Sequence, residues 1–193
     1  QHRAGVIYEA LQVLYPGVTT FLTHESPFQL LIAVILSAQC TDDRVNLVTP
    51  GLFAIYSNAV DLAGASLAHV QELIRSVNYY KTKSKHIIET SKYLCDRFDQ
   101  KVPNQLDLLI QLPGVGRKTA NVVLGQAFGV PGITVDTHVK RLVNRMGFST
   151  QSDAVRVEFD LMKVWKKSWW IDYSSMLILH GRHVCMARKP MCD

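Results

Sequence analysis

The spacing of apolar residues limits most strongly what this chain can fold into. They recur at three- and four-residue intervals, and no stretch of useful length shows the strict alternation of a half-buried strand. Val6, Ile7, Ala10, Leu11 and Leu14 predict an opening helix stopped by Pro16-Gly17. Pro27 stands at a helix start, and residues 28–38 are apolar on nearly every side, as in a core helix. Thr41-Asp42 offers an N-cap for a helix running toward Tyr56. Ser66 is a candidate cap for a short helix carrying Val70, Leu73, Ile74 and Val77. A longer one follows Tyr80, with Ile87, Ile88, Tyr93, Leu94 and Phe98 on its apolar face. Beyond Pro103 the pattern predicts a short helix over 106–112, a turn at Pro113-Gly114-Val115-Gly116, and a helix over 119–128 ended by Gly129 and Pro131-Gly132. Asp136 precedes a further helix through Met146, and two more fall near 154–165 and 171–179. Ile133-Thr134-Val135 is too short to count as a strand. The fold class is all-α.

A chain of 193 residues buries one sizeable core, or two modest ones sharing a cleft. The longest apolar run, Leu30 to Leu36, is too short to span a membrane. The chain opens at Gln1 without a methionine, so the expectation is that the natural N-terminus, with any targeting segment, lies upstream. The net charge of +5 is unevenly placed. Residues 137–193 hold ten Lys or Arg against five Asp or Glu, whereas residues 1–136 hold eleven of each. A basic C-terminal third suits a polyanionic partner, and equally suits ordinary solvated helix surface. Four cysteines in so long a chain exclude a disulfide-dense scaffold. Cys40 and Cys95, in apolar, helical-looking surroundings, read as small core residues.

The most informative stretch is Leu112-Pro113-Gly114-Val115-Gly116-Arg117-Lys118-Thr119-Ala120. Two helices flank a hairpin whose glycines permit positive φ and remove side chains, so that backbone N–H groups can approach a phosphate. The following helix directs its partially positive N-terminus to the same place. Gly-x-Gly alone reads more simply as a helix–helix turn. Leu-Pro before it and Arg-Lys-Thr-Ala after it reverse that balance toward a sequence-independent grip on a nucleic-acid backbone.

Here the sequence closely resembles the endonuclease III family of helix-hairpin-helix DNA glycosylases. The resemblance runs from about Ser26 to Cys192. It includes Leu36-Ser37-Ala38-Gln39, residues 112–123, Val135-Asp136-Thr137-His138, Leu179-His180-Gly181-Arg182 and the stretch from Cys185 to Cys192. The fold it implies is two helical domains flanking a DNA-binding cleft. One is a six-helix domain over 22–131, with the helix-hairpin-helix near 106–128. The other joins 1–21 to 132–193. The activity implied is that of a bifunctional glycosylase and abasic-site lyase acting on double-stranded DNA with damaged bases, oxidised pyrimidines above all. The protein is expected to act as a monomer, in the bacterial nucleoid, or in the nucleus or mitochondrion of a eukaryote.

By that resemblance Lys118 is the nucleophile, attacking C1′ of the damaged nucleotide. A neutral amine is required, and an exposed lysine is protonated at pH 7. Burial in the cleft, adjacent Arg117 and the helix N-terminus would each disfavour the ammonium form. Asp136 matches the catalytic carboxylate, across the cleft from the lysine, whose negative charge stabilises oxocarbenium character as the base departs. A plain N-cap for the helix after it is compatible with that role. His138 resembles a phosphate-contacting position, although a lone histidine is more often structural. Gln39 matches the residue that fills the hole left by a flipped base; by itself it is only a polar residue at a helix end. Relatives usually carry Gly and then a Leu- or Phe-like wedge where this chain has Asn78 and Tyr79. Asn tolerates left-handed φ, so the turn survives with Tyr79 as the wedge. Gly114, Val115, Gly116 and Arg117 on the hairpin, with Arg188 and Lys189, complete the implied DNA contacts.

Cys185 and Cys192 match the first two of the family's four 4Fe–4S ligands. Two thiolates cannot hold such a cluster, and Cys40 and Cys95 match neither remaining position. The expectation is a natural chain that continues past Asp193 and supplies the other two. Two rival functions remain at this stage. A monofunctional glycosylase activates water and lacks a lysine at the Lys118 position. A non-catalytic DNA-binding module has no need of both Lys118 and Asp136.

Overall fold

The computed structural model describes residues 2–191, and every regular element among them is helical. The chain divides into two units, residues 21–129 and residues 2–20 with 130–191. No described helix is long and apolar enough to cross a membrane.

The 21–129 unit contains α2 (Pro27–Ser37), α3 (Asp42–Ile55), α4 (Ala59–Ala63), α5 (Leu67–Leu73), α6 (Tyr80–Arg97), α7 (Leu106–Leu109) and α8 (Arg117–Phe128). Helix α2 is its centre. Phe28 and every residue from Leu30 to Leu36 are buried, and α3, α6 and α8 pack around them. At about 1.5–3 kcal/mol for each large apolar side chain removed from water, this one helix anchors the unit. Its start is set by Ser26, whose side chain accepts from the Gln29 N–H, and by Pro27 at the first helical position. Thr41 caps α3 in the same way, accepting from Arg44 N–H.

Seven helical segments stand where the periodicity predicts six. The extra one is α4, whose five residues are too few to show a period; Asn58 caps it, accepting from Asp61 N–H. Helix α7 ends at Leu109, short of Leu112, because the chain tightens into i→i+3 turns. Leu112 N–H donates to Leu109 O at 3.1 Å and Val115 N–H to Leu112 O at 3.0 Å. Cys40 lies in the turn after α2, half-exposed, and is not the small core residue its neighbours suggest.

The other unit joins α1 (His2–Leu14) to α9 (Thr137–Arg145), α10 (Ala154–Val164), a 3-10 turn (Lys167–Trp169) and α11 (Trp170–His183). Ala4, Tyr8 and Leu11 of α1 enter one core with Val139, Leu142, Val143, Val157, Leu161, Tyr173, Met176 and Leu177. Aromatic rings join these segments. Tyr8 stacks on Trp169 with centroids 4.7 Å apart, and Tyr173 on Trp165 at 4.0 Å. The Tyr173 hydroxyl donates to Ala4 O at 3.2 Å, tying α11 to α1 inside that core.

Candidate functional site

The hairpin between α7 and α8 is fixed from beneath by α6. Thr90 Oγ1 donates to Pro113 O at 2.7 Å. Gly114 has φ +77°, and a Cβ there would lie 2.8 Å from His86 Nδ1, so both conformation and close approach require glycine. Gly116 is different. It is the N-cap of α8 in extended conformation, φ −90° and ψ 174°, and a Cβ there would meet nothing within 4 Å. Of the two glycines that permit positive φ, only Gly114 uses it. Gly116 is exposed, with open space before it. Val115 is buried and its N–H is bonded to Leu112 O, so it supports the hairpin from inside and does not offer its amide outward. Gly116 has no side chain to cap α8, and the first-turn N–H of Lys118 has no acceptor within the helix.

Lys118 lies in that first turn and is exposed, with half-buried Arg117 beside it. The burial expected around the lysine is thus not supplied by the folded chain, because α8 turns this position outward. The helix N-terminus and the neighbouring arginine remain as charges next to the amine.

Two further turns in the 21–129 unit present Gln39 and Tyr79. Both residues have left-handed backbone, φ 53° and 58°, and both are exposed, Tyr79 by 65%. The sequence reading places the left-handed residue of the second turn at Asn78, but it is Tyr79. Asn78 instead spends its side chain on a long-range bond, Nδ2 donating to Gln39 O at 2.7 Å. Lys83, buried on α6, donates from Nζ to Leu36 O at 2.8 Å and to Ala38 O at 2.6 Å. Burial pulls its amine below the ordinary lysine range, with nearby Cys40 acting in the opposite sense. The sequence reading passes over Lys83. Its signal is a lysine on the stripe that continues through Ile87, Ser91 and Leu94, where a charge has no reason to be unless it has partners.

In the other unit Asp136 is the N-cap of α9, its Oδ1 accepting from Val139 N–H at 2.8 Å. The carboxylate is half-buried, and Oδ2 carries no bond to a described residue. His138 follows in the first turn. Its Nδ1 lies 3.3 Å from Arg141 Nη2. A Cβ on Gly181 of α11 would stand 2.8 Å from His138 Cβ, so the two helices touch where the glycine is.

Arg141 Nη2 also donates to Gly181 O at 2.7 Å and Cys185 O at 2.9 Å. Arg145 donates from Nη1 to Met186 O at 2.9 Å and Cys185 Sγ at 3.1 Å, and from Nη2 to Ala187 O at 3.1 Å. These two arginines clamp the segment after α11, beyond which Arg188 and Lys189 are exposed, Lys189 with φ 56°. Cys185 is half-buried with a free thiol, and Cys192 lies outside the described residues. Among the described residues no three His, Cys, Asp or Glu side chains converge as a metal site. The donors present do not make up a four-thiolate cluster set.

The HhH-GPD superfamily of base excision DNA repair proteins matches residues 32–167. Endonuclease III of Synechocystis sp. is 49% identical over 193 residues, spanning 100% of this chain and 88% of the relative. The chain belongs to the endonuclease III family. Endonuclease III of Escherichia coli K12 is 44% identical over 177 residues, 92% of this chain and 84% of the relative. A solved structure of a trapped endonuclease III–DNA covalent intermediate, an estranged-adenine complex, superposes with a TM-score of 0.94. It is 42% identical and covers 99% of this chain and 90% of that one.

Proposed function

We propose that this protein is a bifunctional DNA glycosylase and abasic-site lyase of base-excision repair. Lys118 carries the reading: a lysine in the first turn of a helix whose N-cap is a glycine open to solvent. The match to a DNA complex trapped as a covalent intermediate supports the lyase over a monofunctional glycosylase. In the proposed reaction the neutral amine of Lys118 attacks C1′ of the lesion nucleotide. The C1′–N bond breaks, and the base leaves with its electron pair and takes a proton. The sugar ring opens to an imine between C1′ and Nζ. Loss of a proton from C2′ then expels the 3′ phosphate and nicks the strand, and water hydrolyses the imine. Duplex DNA laid over an exposed Lys118 would exclude water from it, supplying on binding the desolvation that the chain alone does not.

Asp136 contributes negative charge as the base departs. One oxygen is fixed by its cap bond, and Oδ2 remains for the reaction. Gly114, Gly116 and the start of α8 would receive a phosphate, with Arg117, His138, Arg188 and Lys189 as further backbone contacts. Gln39 and Tyr79 would fill the space left by the extruded nucleotide. Cys185 and Cys192 would give two thiolates to a 4Fe–4S cluster. Iron and sulfide analysis of the native protein tests that assignment, and the lysine reaction does not depend on it.

The functional test is a panel of duplexes carrying thymine glycol, an abasic site, 8-oxoguanine and mismatches. The reading expects base release followed by strand cleavage on thymine glycol, and cleavage at the abasic site. Base release without cleavage on every substrate makes the protein monofunctional. Binding without either reaction leaves only a DNA-binding module.

A further inference from the structure

The two turns that present Gln39 and Tyr79 are joined by a closed circuit of hydrogen bonds. Tyr79 O accepts from Lys83 N–H at 3.0 Å. Lys83 Nζ reaches back to Leu36 O and Ala38 O, at the end of α2. Gln39 follows Ala38, and its own carbonyl accepts from the amide of Asn78, the neighbour of Tyr79. The Lys83 N–H bond to Tyr79 O is the local first-turn bond of α6, whereas the three side-chain links span 39, 47 and 45 residues, so no local turn chemistry accounts for them.

We infer that Asn78 and Lys83 are positioning residues that lock the Gln39 and Tyr79 turns into a single preformed two-pronged wedge. This inference rests on the function proposed above, because only a base-extruding enzyme needs such a wedge.

Three observations carry it. First, helix α2 ends in Ser37-Ala38-Gln39-Cys40 without the glycine that usually closes a helix, so its last carbonyls need donors from elsewhere. Lys83 supplies them, at the end of the helix dipole that favours a cation. Second, a buried amine is an expensive way to end a helix. An apolar side chain of similar volume is often as stabilising or more so, which points to a role in specifying geometry. Third, non-glycine residues in left-handed backbone cost roughly 1 kcal/mol or more each and persist only where surroundings fix them. Gln39 and Tyr79 both pay this cost while exposing their side chains, and the circuit is what fixes them.

The physical advantage is entropic. Opening a base stack costs a few kcal/mol, and ordering a free loop at the same moment adds roughly 1–2 kcal/mol per residue. A wedge already in shape has only the first of these to meet. Asn78 is the side chain that couples one prong to the other.

The test uses the full chain with Asn78→Ala and Lys83→Met, and a duplex with 2-aminopurine opposite an uncleavable abasic analogue. At saturating wild-type protein the 2-aminopurine fluorescence rises as the estranged base unstacks. The inference expects that rise to be about twofold smaller in Asn78→Ala, still smaller in Lys83→Met, with melting temperature measured alongside. Single-turnover base release from a paired lesion should slow about tenfold in Asn78→Ala. Asn78 is exposed, so its variant keeps the test decisive even where Lys83→Met fails to fold. Wild type that gives the rise and releases base, with Asn78→Ala equal to it in both, overturns this inference alone. Wild type that gives neither overturns the proposed function, and this inference with it.

Discussion

The proposed function gives Asp136 a second task beside its cap, and substitutions can separate the two. Asp136 caps α9 through Oδ1, and asparagine caps a helix as well as aspartate does. Asp136→Asn should therefore leave the melting temperature within a few degrees of wild type, while base release slows about a hundredfold for want of the negative charge. Asp136→Ala should lose the charge and also about 1 kcal/mol of stability. Thermal melts and single-turnover base release measured on both variants check this. Equal stability loss in Asn and Ala would mean that the charge, not the cap, holds α9. The hairpin glycines separate in the opposite way. Gly114→Ala meets His86 and a positive φ, and should cost about 1–3 kcal/mol in a denaturant titration. Gly116→Ala meets neither, so its stability should change little while its affinity for an abasic-analogue duplex falls. Unchanged affinity in Gly116→Ala would remove the phosphate from that position.

Elements were legible in the sequence wherever they were long enough to show a period. The apolar run of α2 with Pro27 at its start, the stripe of α6 and the caps at Thr41 and Asp136 are each local facts, and each predicts an element that is present. Helix α4, at five residues, offers less than two turns of pattern and was not legible. Nor were the bonds that position the candidate site, because they join distant parts of the chain. Asparagine tolerates left-handed backbone, yet Asn78 gives its side chain to Gln39 O and the positive φ falls at Tyr79. Lys118 looked like a buried lysine because its chemistry wants one, whereas the first turn of α8 leaves it exposed. At this scale the contact of α9 with α11 gives a direct prediction. Gly181→Ala places a methyl 2.8 Å from His138 Cβ and 3.1 Å from Arg141 Nη2. It should cost about 1–3 kcal/mol by overpacking. It should also loosen the 184–187 segment that Arg141 and Arg145 hold, which hydrogen exchange at those amides would show as faster exchange. Wild-type exchange in that variant would mean that the clamp does not depend on the helix contact.

Across the whole molecule, the basic surplus of the C-terminal third is partly structural. Arg141 and Arg145 are engaged with carbonyls, Lys140 donates to Ser152 O, and Lys163 pairs with Asp160. The charges best placed for a polyanion are fewer than the count implies, with Arg188 and Lys189 among them. Net charge thus gives a partner class, and the proposed chemistry rests on the hairpin with its lysine. Endonuclease III relatives span nearly the whole chain, so the function assigned rests on one covalent step. Borohydride reduces an imine to a stable amine, and wild-type protein incubated with abasic-site DNA and borohydride should become one covalent species with the strand. Lys118→Gln keeps a polar side chain of similar length and most phosphate contacts, and should bind the same DNA with no trapping and no nick. Trapping of Lys118→Gln at the wild-type rate would make another amine the nucleophile and contradict the account at its centre.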